Sequence, residues 1–178
     1  MLSQHHDRPR SGGYRAEMAD TRTNFHFDVN YLRDGYFSDE QCEKVRDELL
    51  GSLALDVAKA LVNAHVKLDQ LRQCFDRVCA IERNIGEQRS FDSAEAGIVK
   101  LKSEADFQAG CGLVGEDFKR FIDRNVELAL QKECNLTRGF IPHFAAVLGS
   151  FAYLTRPRAY RSLSAPQNRL ACPPKEEG

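Results

Sequence analysis

The chain has 178 residues, 42% of them hydrophobic and 29% charged, with 25 basic side chains against 26 acidic ones. That is the length and usage of one globular domain, able to bury a core without staples. Its longest apolar runs span only a few residues, and the segment from Met1 has no basic head followed by an apolar stretch. Neither a membrane span nor a secretory signal is expected, and the cytoplasm is the default location.

Residues 1–24 hold little apolar material beyond Leu2, Tyr14 and Met18 and read as a disordered tail. From residue 25 to 154 helical periodicity dominates and strand alternation is nearly absent. Ser38-Asp39-Glu40-Gln41 has the form of a capping box, with Phe37 and Cys42 as its hydrophobic staple. Val45, Leu49, Leu53, Val57 and Leu61 then repeat every four residues, and Gly51-Ser52 leaves open one kinked helix or two short ones. Asp69 is placed to cap a second helix with Leu71, Phe75, Val78 and Ile85 on its apolar face and Gly86 at its end. Asp92 is placed to cap a third, carrying Phe91, Ile98, Leu101 and Ala105.

Gly110, Gly112 and Gly115 punctuate the next loop. They match the letters of a dinucleotide fingerprint, but that motif needs a preceding strand, and here a helix precedes. Glu116 and Asp117 set negative charge at the start of a fourth helix, where the dipole favours it, followed by Phe118, Phe121, Ile122, Asn125 and Ala129. The last helix starts between Thr137 and Ile141, late because Pro142 suits a first turn, and carries Phe144, Leu148 and Phe151 up to the stop at Pro157. Residues 155–178 hold four of the six prolines and read as a second disordered tail. The expected fold is all-α, a compact bundle of about five helices between two tails.

Removing the tails leaves the body, residues 25–154, with 16 of the basic and 21 of the acidic residues, a net of about −5 by segment count. Cys42, Cys74, Cys79, Cys111, Cys134 and Cys172 include no pair at zinc-ligand spacing, and in a reducing compartment they are expected to be free, mainly buried thiols. His26, His65 and His143 are far apart and form no metal motif. Nothing in the pattern specifies a cofactor, a metal or a catalytic group.

Four short blocks in order do point somewhere. Asp34-Gly35-Tyr36-Phe37 precedes the first helix, and Gln70-Leu71-Arg72 opens the next. Leu101-Lys102 leads into Phe107-Gln108-Ala109-Gly110, and a phenylalanine-rich helix from Phe140 to Tyr153 closes the body. In that order the blocks resemble the small subunit of type III-A (Csm-type) CRISPR effector complexes, over about Gly35 to Tyr153. Two places depart from the family pattern: Cys111 stands where arginine is common, and the last helix lacks a family glutamate.

The resemblance implies a five-helix, non-catalytic scaffold lying along a guide RNA–target RNA duplex. It implies as partners the backbone subunits, the large polymerase-type subunit and further copies of the chain. Such a role needs Lys and Arg on phosphates and no base-edge readout. Arg72, Arg77, Lys100 and Lys102, on or beside the family-like blocks, are the first candidates. Arg72 and Arg77 are separated by about 140° around a helix, so they fit one groove but not one stripe. Lys119, Arg120 and Arg124 form a second basic cluster. The same charges also suit an ordinary solvated helix face, paired with Asp76, Glu104, Asp106, Glu116, Asp117 and Asp123. That alternative describes a helical adaptor that self-associates through an apolar face without touching RNA.

Overall fold

The computed structural model describes residues 25–28, 30–88 and 90–156; both expected tails lie outside these, apart from Thr155 and Arg156. Among the described residues six α-helices follow in order: α1 (Asp47–Leu50), α2 (Ser52–Asn63), α3 (Leu68–Gln88), α4 (Asp92–Gly110), α5 (Glu116–Ala129) and α6 (Ile141–Thr155). A π-helical segment, Asn135–Phe140, feeds directly into α6. Among the described residues the only β pairing is an isolated bridge between Phe37 and Val45. The expected all-α bundle is the observed one.

Periodicity explains the central helices. Leu71, Cys74, Val78, Ile81 and Ile85 bury one stripe of α3, and Ala94, Ile98, Leu101 and Ala105 one stripe of α4. Phe118, Phe121, Ile122, Asn125, Val126 and Ala129 do the same for α5. α6 packs most extensively on α2 and also on α3, while α4 lies against both α3 and α5. Aromatic rings fill the centre. Phe121 meets Phe144 edge to face at 5.1 Å, Phe144 meets Phe75 at 5.3 Å, and Phe140 stacks on Phe144 at 5.6 Å.

The first element differs from expectation. No helix starts at Ser38. Asp39 instead accepts the backbone N–H groups of Glu43 (2.9 Å) and Lys44 (2.7 Å), which closes the 38–44 loop and holds its carboxyl below the ordinary range. The helix begins at Asp47, and Gly51 divides it from α2, so the two-helix alternative is the one the chain adopts. α3 runs through Gly86 to Gln88, and Pro142 lies in the first turn of α6. The expectation of free thiols is overturned for two residues. Cys42 and Cys134 form a disulfide with Cα atoms 6.3 Å apart, because the 38–44 loop folds onto the turn after α5, 92 residues away. Cys74 is buried, Cys79 half-buried and Cys111 exposed, so the core reading holds for only some of these three, and Cys172 lies outside the described residues.

Residues 25–28 and 30–36 pack into the bundle although they have no regular structure. Phe27, Tyr31, Leu32 and Tyr36 are all buried. They are tied down by a chain of hydrogen bonds through the core. Tyr36 Oη donates to Asn125 Oδ1 (2.7 Å), and Asn125 Nδ2 donates to Tyr31 Oη (3.0 Å) and to the Phe121 carbonyl (2.7 Å). Tyr31 Oη lies 3.0 Å from His143 Nε2, and His143 Nδ1 lies 2.7 Å from the Leu49 carbonyl. A carbonyl only accepts, so the imidazole carries its proton on Nδ1 and accepts a hydrogen bond from the Tyr31 hydroxyl at Nε2. Both polar atoms of each ring and amide in the chain are thus satisfied, which is what their complete burial requires.

Candidate nucleic-acid interface

The basic residues singled out in the sequence do not form one surface. Arg77 of α3 and Lys100 of α4 face each other across the groove between these helices, together with Gln70, Gln73, Ser103 and Glu104. Phe107, Gln108 and Leu113 close one end of the groove, whose volume is about 480 Å³. Arg77 is bonded to Glu104 across it. Lys100 makes no ion pair among the described residues. Arg72 likewise has no acidic partner there, but it lies outside the groove lining, so Arg72 and Arg77 do not share this groove.

Lys102 sits two residues after Lys100, about 200° around the helix, and so on the α5 side of α4. Its ammonium is 3.9 Å from Asp123. Lys119 is bracketed by Asp123 (2.5 Å) and Asp106 (3.0 Å), and hydrogen bonds to these two carboxylates hold its pKa above the ordinary lysine range. Arg120 pairs with Asp117 at 3.5 Å, one turn away. The Arg120–Asp117 pair is solvent-accessible and contributes little to stability on its own. Asp123, by contrast, is largely covered, its Oδ1 buried and without a hydrogen-bond donor among the described residues.

Arg124 has a different task. Its Nε donates to the Tyr31 carbonyl (3.2 Å) and its Nη2 to the Leu32 carbonyl (3.0 Å), while Nη1 pairs with Glu127 (3.2 Å). It clamps the turn at residues 30–34 onto α5. Arg120 and Arg124 border a depression with Phe27, Tyr31, Asp28, Asp123 and Glu127, so three carboxylates accompany the two guanidinium groups. A phosphate meets repulsion there as well as attraction. The groove between α3 and α4, with two cations and one carboxylate, is the more favourable of the two.

Two groove residues were not singled out by charge. Phe107 lies two residues beyond Ala105, about 200° off the buried stripe of α4, and is 68% exposed. Leu113 joins it through the helix C-terminus. The Leu113 N–H bonds to the Gln108 carbonyl and the Gly112 N–H to that of Ala109, both at 2.9 Å, and Gly112 adopts φ +68°. This is a Schellman turn, in which the residue after the left-handed glycine packs on the last helical turn. The signal available in the sequence was a large aromatic residue out of register with its helix.

Among the described residues no group of three or more His, Cys, Asp and Glu side chains is placed to hold a metal ion, and no helix is long and apolar enough to cross a membrane. The model of one protein family, Csm2 Type III-A, matches residues 44–153, from just before α1 to near the end of α6. No curated protein and no solved structure matches the chain.

Proposed function

The chain belongs to the Csm2 Type III-A family, the small subunits of type III-A CRISPR complexes, and on that premise we propose that it is a non-catalytic subunit lining the guide–target RNA duplex. In this reading it contacts RNA through phosphates, independent of sequence, and bridges backbone subunits, the large polymerase-type subunit and further copies of itself within the cytoplasm. The family match over the whole helical body carries the proposal. Support from the surface is the set of cations with weak or no intramolecular competition: Arg72, Lys100 and, at 3.9 Å from its acid, Lys102. Arg77, Lys119 and Arg120 must exchange a carboxylate for a phosphate to take part, and Arg124 must release two carbonyls.

An acidic body binds RNA weakly when alone, and neighbouring subunits raise its effective concentration on the duplex. The test is therefore made on assembled complex carrying Arg72→Ala with Lys102→Ala. Target-RNA affinity is measured across a series of salt concentrations. Each lost phosphate contact lowers the log–log salt slope by about 0.7–0.9 and weakens binding. Identical affinity and slope for variant and wild type would remove both residues from the interface.

A further inference from the structure

The groove between α3 and α4 is built for more than a phosphate. We infer that it seats one unpaired nucleotide, with the base against Phe107 and Leu113 and the phosphate near Lys100 and Arg77. The inference rests on the RNA-contact reading above and adds a base to what was a backbone contact.

The apolar part is small and fixed. Phe107 and Leu113 are 68% and 54% exposed, and the Schellman turn at Gly112 holds them at the helix end. The other lining residues, Gln70, Gln73, Arg77, Lys100, Ser103, Glu104 and Gln108, are polar or charged. An apolar helix laid over them would strip water from amides and charges without replacing it. A nucleotide suits the mixture, since its base has an apolar face and a hydrogen-bonding edge and its phosphate is anionic. The lining carries two cations and one carboxylate in a body that is otherwise acidic.

Gln108 supplies the second observation. Its Oε1 is buried and has no hydrogen-bond donor among the described residues, in a groove lined by the same side chain. The atom is covered by protein, so the amide turns towards the groove to meet an N–H there. Every nucleobase offers one on its Watson–Crick edge, so the contact needs no particular sequence. Stacking on a phenylalanine is likewise tolerant of base identity.

The assembled complex, loaded with target RNA, is irradiated and the crosslinked peptides of this chain are mapped. The expected crosslink lies within residues 103–113. Phe107→Ala removes that crosslink, leaves crosslinks elsewhere on the chain intact and weakens binding roughly five- to a hundredfold, the range for losing one aromatic stack. Phe107→Trp restores it. Gln108→Leu, which removes the acceptor from a side chain of similar bulk, weakens binding without lowering the thermal midpoint. If the chain crosslinks only outside residues 103–113 and Phe107→Ala binds like wild type, the subsite is overturned while the phosphate reading stands. A complex in which this chain crosslinks to no RNA overturns both. Crosslinking of Lys100 to another subunit, with no RNA on 103–113, assigns the groove to a protein and overturns the nucleotide.

Discussion

Tyr36 lies directly over Gly139, so closely that a Cβ built on the glycine comes within 2.5 Å of the tyrosine ring. The contact joins the irregular N-terminal segment to the π-helical turn before α6, and both residues are buried. Gly139→Ala must therefore push the ring aside or shift the turn, which for an overpacked core costs about 1–3 kcal/mol. Tyr36→Phe keeps the packing but leaves Asn125 Oδ1 without its donor, at a cost of about 1–3 kcal/mol. Chemical denaturation of the two variants measures both. An unchanged midpoint for Gly139→Ala would show that the segment is not seated on the turn.

His143 makes stability depend on acid. Burial lowers its pKa to about 4, against the opposing pull of the Leu49 carbonyl, while in the unfolded chain it titrates near 6.5. The unfolded state thus binds the extra proton first. The contribution is complete above about pH 6.5 and is lost as pH falls through 6.5 towards 4, a total of roughly 3 kcal/mol. Unfolding free energies at pH 7.5 and pH 4.5, compared between wild type and His143→Gln, isolate the effect. The variant loses most of this pH dependence, though it is less stable at neutral pH.

Arg124 holds the N-terminal segment rather than presenting a free charge. Arg124→Ala removes two donors from the Tyr31 and Leu32 carbonyls. Hydrogen exchange at residues 31–35 should speed up by about tenfold, the equivalent of roughly 1.4 kcal/mol of local stability. Arg120→Ala, which breaks only a surface pair with Asp117, should leave those amides unchanged. Equal protection in both variants would contradict the clamp.

The Cys42–Cys134 link closes a span of 92 residues. A loop that long restrains the unfolded chain strongly, and the usual gain is about 2–4 kcal/mol. Non-reducing peptide mapping of protein purified in air should recover the 42–134 crosslinked pair. Adding reductant, or replacing Cys42 with Ser, should lower the melting temperature by several degrees for a chain of this size. Alkylation of both thiols without prior reduction would remove the link from the account.

The helices from α3 to α5 were legible because their buried residues recur every three or four positions, as Leu71, Val78 and Ile85 do. Residues 25–46 were not. Tyr31 and Tyr36 are ordered by partners about 90 or more positions away, Asn125 and His143, and no local period encodes such a contact. The same limit applied at the surface. The sequence offered Asp106 as one possible partner of the basic residues, but only the packing of α4 on α5 assigns it to Lys119. Cys42 looked like the staple of a helix cap until the loop around it turned to face Cys134. Phe107 was visible as part of a block, while its place in a groove depended on how Gly112 reverses the chain.

The match to the family model starts at residue 44, after the Asp34–Phe37 block, yet the packed unit of this protein starts earlier. A polypeptide cut at that boundary would keep all six helices and still lack Tyr31 and Tyr36. Asn125 Oδ1 and His143 Nε2 would then have no donor, and the ring of Phe121 would lose its contacts with Phe27 and Tyr31. The segment ahead of the helices is in effect a lid on the bundle, and recombinant boundaries or domain swaps for this chain are best drawn upstream of Phe25.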